Sequence, residues 1–284
     1  MIYDCFTFYN ELDLLEVRLH ELCDVVDRFV LVEATQTFQG NPKPLFFEEH
    51  KHAFSRYADK ITHIVVEFPD EAALRSHLST RPPNMTWARE HYQRDQISRG
   101  LTKALPDDLI IVSDVDEIIS AAKLRGAIAE RRPHDLTIFA MSIYTGCVNR
   151  RVTGSVWEKG PRIIEFSDFT GAEHLRLTKM VATNRLGNSP FGRFYTRYQN
   201  YMLHGIPNRI NVVPDSGWHM TSIGDWDRYR SKILAFSHTE IAEEEHFRCK
   251  EAFERRLDET TSAVDPSELP KFIQENLQRF TLAS

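Results

Sequence analysis

The chain has 284 residues, 42% of them hydrophobic and 27% charged, with a formal net charge of −6. This is the make-up of an ordinary globular protein able to bury a substantial core, and it excludes a disordered or fibrous chain. The negative balance excludes nucleic acid as the main partner, because no basic excess is available to neutralise phosphates.

The four cysteines (Cys5, Cys23, Cys147 and Cys249) are scattered and form no Cys-x-x-Cys pair. A zinc site is not expected, and a reduced protein is. No apolar run is long enough to span a bilayer, and Met1–Phe6 carries no charged leader followed by an apolar stretch. The expectation is a soluble, cytoplasmic chain.

In chain order, Leu12, Leu15, Leu19, Leu22 and Val26 recur at helical spacing. They predict an amphipathic helix over 11–26, with Asn10 as its N-cap. A strand follows at 28–33, then a loop from Thr35 to Pro44 marked by Gly40, Pro42 and Pro44. A second strand is expected at 61–67. Pro82-Pro83-Asn84 punctuates before a long helix from about 86 to 103. The apolar run Leu109-Ile110-Ile111-Val112 predicts a buried strand, and 121–130 the next helix. This alternation predicts an α/β protein with a mostly parallel sheet flanked by helices.

The pattern changes after residue 131. Residues 137–148 read as a strand. Residues 155–215 read as short strand-like pieces broken by glycine and proline, among them Pro190, Gly192 and Gly205. From Asp225 the chain turns helical again, and Asp265-Pro266 separates a last helix. With no repeat and no linker, the expectation is one domain over 1–284. Its parts are a 1–130 half, a mixed 131–224 stretch and C-terminal helices over 225–284.

The most telling residues are Ser113-Asp114-Val115-Asp116-Glu117, directly after the strand 109–112. In an open α/β sheet the ligand crevice lies at the carboxyl ends of the strands. Acidic groups gathered there repel one another unless a cation sits among them. A hard divalent ion bound together with a diphosphate meets that need. Asp-x-Asp is also the arrangement found in nucleotide-sugar glycosyltransferases. Asp116 is then the expected metal ligand, with Asp114 near the ribose or a metal-bound water. Glu117 supports them or opens the next helix.

Other groups could serve the same crevice. Arg89 and Arg94, on the predicted helix after Asn84, offer forked donors to phosphate, though a salt-bridged surface face explains them equally well. Gly217-Trp218-His219 follows a strand at 210–213. His219 could complete a metal shell, with Lys232 and His238 downstream as a phosphate partner and a second imidazole. Glu33, at the end of the first predicted strand, could meet the base or ribose, or be a plain strand end.

Four ordered blocks then resemble glycosyltransferase family 17. They are Glu11 to Phe47, Arg89 to Leu101, Asp107 to Ile118, and Gly217-Trp218-His219 with Lys232. The resemblance fades from about 131 to 210. It implies a GT-A-type fold with an acceptor-side middle segment, UDP-N-acetylglucosamine as donor, a glycan acceptor, and Mn²⁺ or Mg²⁺ held through Asp114, Asp116 and His219. It also implies inversion to a β-linkage. The motif continues here as Ile118-Ile119-Ser120, where the family's animal members turn with proline.

An inverting transfer needs a general base in reach of the acceptor hydroxyl. Asp215, beside the Gly-Trp-His turn, is the first expectation, with Glu173 and Glu158 as rivals. Two other readings compete: a metal-dependent nucleotidyltransferase or phosphohydrolase, and a glycan-binding scaffold without turnover.

Overall fold

The computed structural model describes residues 1–78, 82, 84–180, 189–224, 226–235, 246 and 249–280. His238 lies outside the described residues. The chain forms two sheets flanked by helices. The larger has seven strands in the order β10-β6-β9-β4-β1-β2-β3. These are Arg209–Val213 (β10), Asp135–Phe139 (β6), Arg162–Glu165 (β9), Leu109–Asp114 (β4), Ile2–Phe8 (β1), Arg28–Ala34 (β2) and Ile61–Val66 (β3). All neighbours pair in parallel except β9, which runs antiparallel to both β4 and β6.

Strands buried on both faces read as continuous apolar runs rather than alternations. In β2 every residue after Arg28 is buried. The interior strand β1 was not legible as a strand, because Asp4 and Thr7 interrupt its apolar run.

Helix α1 (Leu12–Leu22) crosses from β1 to β2 and sends Leu15, Leu19 and Leu22 into the core under the sheet. Each such side chain contributes about 1.5–3 kcal/mol of burial. Leu14 and Val17 face a different cluster, shared with the second sheet and the C-terminal segment. The helix begins one residue later than expected and ends at Leu22 rather than at Val26. Glu11 is its N-cap, and the Glu11 carboxylate accepts from the Tyr9 and Asn10 amides at 3.3 and 3.1 Å.

The second sheet has the order β12-β8-β7-β11-β5. Its strands are Thr261–Ala263 (β12), Arg150–Trp157 (β8), Met141–Gly146 (β7), Gly217–Ile223 (β11) and Glu117–Ile119 (β5). The expected single strand at 137–148 is thus two strands in two sheets, parted at Ala140. The C-terminal stretch is not purely helical, since β12 pairs with β8. Strands from all three stretches share sheets: β5 joins β11, and β9 lies between β4 and β6.

The strand-like reading of 155–215 fails over Pro190–His204, which is a 15-residue helix, α7. The breakers are its punctuation. Ser189 caps the Gly192 amide at 3.0 Å, Pro190 sits in the first turn, and Gly205 closes it in the left-handed region at φ 70°.

Candidate active site

The carboxyl ends of β1 and β4 open into a cavity of about 450 Å³. Thr7, Asp114 and Asp116 come from the sheet edge. Glu90 and Arg94 come from helix α4 (Met85–Asp95), and His219 from β11. Lys232 comes from helix α8 (Trp226–Ala235). Another part of the lining carries Tyr229, Phe253 and Leu257, with His246 and Arg256 beside them.

The acidic turn is built on Arg18, a fully buried residue of α1. Its guanidinium pairs with Asp4, donates to Ser113 Oγ at 2.6 Å, and donates to the carbonyls of Asp114 and Glu117 at 3.1 and 2.8 Å. One planar fork therefore fixes the backbone of the whole motif. Arg18 falls on the apolar stripe of α1, beside Leu15, Leu19 and Leu22. A cation on a buried stripe is the signal that could have revealed it.

The three acids of the motif are held differently. Glu117 is fully buried in β5 and does not begin the next helix. It accepts from the Asp114 amide at 3.1 Å, from Trp157 Nε1 at 2.6 Å and from Arg176 at 2.9 Å. Asp114 accepts from Thr7 Oγ1 at 3.0 Å, Arg94 at 3.2 Å and Arg176 at 3.1 Å. Burial alone would push its carboxyl up, but the two guanidinium groups and the hydroxyl outweigh this and hold it well below the usual carboxylate range. Asp116 accepts from Lys232 Nζ at 2.7 Å through one oxygen, while its other oxygen faces His219 Nε2 at 3.7 Å. Burial disfavours the Lys232 charge, and Asp116 and Glu11 more than offset this, raising its pKa.

The expected metal set is therefore divided. Among the described residues, Asp114, Asp116 and His219 do not converge on one point as three ligands, whereas His134, Glu165 and Asp168 do, elsewhere. Asp114 is occupied by arginines. Asp116 and His219 remain together, 3.7 Å apart, wider than a hydrogen bond. The His219 ring leans on Trp157 at 4.4 Å, and its buried Nδ1 has no hydrogen-bond partner. One carboxylate oxygen and one imidazole nitrogen fit a divalent ion that takes its other ligands from water and phosphate.

Arg94, expected as a nucleotide ligand, lines the cavity and is tied to Glu90, Asp114 and Glu173. Lys232 also lines it. Arg89 does not: it donates to the Phe38 carbonyl at 2.9 Å and packs against Gly40, anchoring the loop after β2. Glu33 is turned into the protein, bonded to Lys43 at 3.0 Å, His63 at 3.2 Å and the Phe47 amide. It steadies Lys43, which does line the cavity.

The two expected bases are not brought to the cavity. Glu173 is buried between Arg94 and His91, beneath the wall. Asp215 is exposed at φ 45° in the turn before β11. It precedes the first residue of β11 by two positions and is not among the residues that line the cavity. Glycine at 217 is required there, because a Cβ would lie 2.1 Å from the Ile118 carbonyl oxygen. The rival Glu158 is on another face. Arg176 and Trp157, which hold Glu117, carried no signal in the sequence.

The cluster His134, Glu165 and Asp168 lies at the amino ends of β4 and β6. His134 Nδ1 is 2.9 Å from Asp168, Arg131 pairs with Glu165 at 2.7 Å, and Asn208 donates to Asp168 at 2.7 Å. The Asp168 hydrogen bond and nearby charges raise the His134 pKa.

Fold and cavity together define an α/β protein with a cation-lined, carboxylate-bearing cavity at the carboxyl edge of a mostly parallel sheet. The profile of glycosyltransferase family 17 matches residues 1–132, the part that supplies Asp114, Asp116, Arg94 and Arg18. The resemblance to that family thus holds over this half.

Curated relatives include the human and rat β-1,4-mannosyl-glycoprotein 4-β-N-acetylglucosaminyltransferases, each 38% identical over 117 residues. The aligned part is 38% of this chain and 20% of each relative, so the chain matches about a fifth of their length. Among solved structures, an inositol-1-phosphate CTP transferase from T. maritima aligns over 74% of this chain and 76% of its own, at 12% identity and a TM-score of 0.36. At that score the likeness carries no argument.

Proposed function

We propose that this protein is a glycosyltransferase of the GT-A type that transfers N-acetylglucosamine from its UDP donor to a glycan hydroxyl. The observation that carries the reading is Asp116, in the family-matching half, set in the cavity between Lys232 and His219. In this reading the diphosphate lies along Lys232 and Arg94, whose charges offset the negative charge that grows on the leaving group. Asp114, fixed by Arg94 and Arg176, accepts from a ribose hydroxyl. Asp116 and His219 hold a divalent ion, which supplies Lewis-acid stabilisation to the diphosphate when bound. The part of the lining with Tyr229, Phe253 and Leu257 takes the sugar side of the ligands. Among the described residues, Glu11 and Glu90 are the carboxylates outside the motif that line the cavity, so the base is sought there and not at Asp215 or Glu173.

Product analysis tests this. Incubation with UDP-N-acetylglucosamine, Mn²⁺ and a panel of mannose-terminated glycans is expected to release UDP with the sugar moved to an acceptor. Release of phosphate or pyrophosphate instead would assign the cavity to a phosphohydrolase or nucleotidyltransferase.

A further inference from the structure

Helix α7 touches the body of the protein through one narrow ridge. Gly192, Thr196, Asn200 and His204, spaced four apart, are its buried residues. They are small or polar: Asn200 bonds both backbone groups of Lys179, at 2.8 and 3.0 Å. The other faces are open. Phe191, Phe194, Tyr198, Tyr201, Met202 and Leu203 are between 52% and 67% exposed. Positions 191, 194, 198 and 201 stack along one side of the helix. A surface helix ordinarily turns its apolar stripe to the core. This one turns it outward, and an exposed apolar patch of this kind marks an interaction surface.

Charge around the helix is segregated. The chain has 41 acidic residues, yet none from His174 to Pro214. Besides Arg176, which is committed to Asp114 and Glu117, the described part of that span holds Lys179, Arg193, Arg197 and Arg209. Among the described residues, a groove beside the helix brings Arg193, Arg197 and Arg209 together with Phe194 and Val212, with Glu158 as its one carboxylate. Arg209 is partly neutralised by Asp135.

We propose that α7 docks the protein on an anionic lipid bilayer. The helix lies in the plane of the interface, with its Phe, Tyr and Met side chains at the acyl boundary and its arginines at the level of the phosphates. Aromatic rings favour that depth, and binding there scales with buried apolar area plus attraction to anionic headgroups. At 15 residues α7 lies on a bilayer rather than crossing it. No described helix is long and apolar enough to cross one. A second copy is the weaker occupant, because a two-fold contact would bring the Arg193 and Arg197 of one copy against those of the other, like charge on like charge. The proposal is independent of the chemistry in the cavity.

The test is co-sedimentation of the full chain with phosphatidylcholine vesicles, with and without about 30% phosphatidylserine. Binding is expected to the anionic vesicles and to weaken as salt rises. The double variant Phe191→Ser with Phe194→Ser should lower the bound fraction roughly tenfold, with an unchanged melting temperature because both rings are exposed. Arg193→Gln with Arg197→Gln should remove the preference for phosphatidylserine. No sedimentation with anionic vesicles at low salt, or binding indifferent to the phenylalanines, would overturn the proposal. So would a dimer seen by sedimentation equilibrium and lost in the phenylalanine variant, which would give the face to a second copy.

Discussion

The two ends of the seven-stranded sheet each gather acids and a histidine, and they differ in what surrounds them. At the amino end, His134, Glu165 and Asp168 converge closely enough to share an ion, but His134 is exposed and the acids are already answered by Arg131 and Asn208. At the carboxyl end the acids do not converge. Asp114 and Asp116 line a cavity; Arg176 and Trp157 fix Asp114 and Glu117, Arg18 fixes the backbone beneath them, and Lys232 holds Asp116. Proximity of ligand types is therefore a poor guide to a site. Cavity, pre-set geometry and cations placed for a polyanion are better ones, and the carboxyl edge of a parallel sheet supplies them.

The largest effect that sharpens this contrast is on the scaffold. Arg18→Met leaves Asp4 charged and unpaired in the core and should cost about 3–5 kcal/mol in urea unfolding. A loss under about 1 kcal/mol would mean the motif does not depend on that fork. Next, Asp116→Asn should lower UDP release from the donor roughly 100- to 1,000-fold. Glu165→Gln at the other end should leave it unchanged, and equal losses would erase the difference between the two ends.

Lys232→Met should weaken UDP binding roughly tenfold or more, seen by calorimetry, because it removes a charge-assisted contact. Asp215→Asn should keep turnover within about twofold, since a group outside the cavity does not meet the transition state.

The smallest effect is on pH dependence at the amino end. The folded-state pKa of His134 is raised by Asp168 above its ordinary 6.5. Its contribution to stability is therefore fully present below that ordinary value and lost as pH rises through the folded pKa. His134→Asn, which tolerates the left-handed backbone at φ 61°, should melt below the wild type at about pH 5.5 and alongside it at about pH 9.

Strands β2, β3 and β4 and helices α1 and 121–130 were legible because the strands are apolar runs and the helices keep a clean period, whereas β1 was not. The carboxyl-edge position of Asp114 and Asp116 followed from Leu109–Val112 alone. What escaped was long-range. β5 and β12 are three-residue strands that exist only through their partners, and Arg176 reaches Glu117 across 59 positions. Asp215 looked close to the site in sequence, but it is exposed in the turn before β11 and does not line the cavity. The helix α7 was misread because its ridge is polar and its aromatic face is outward, the reverse of the pattern that announces a helix.

The central claim is that Asp116 anchors a nucleotide-sugar site. Calorimetric titration with UDP-N-acetylglucosamine, with and without Mn²⁺, on the wild type and Asp116→Ala tests it most directly. The account predicts metal-dependent binding in the wild type and its loss in the variant, with melting temperature retained. Binding of equal strength in both proteins, or none of either UDP-N-acetylglucosamine or UDP to the wild type, would contradict it.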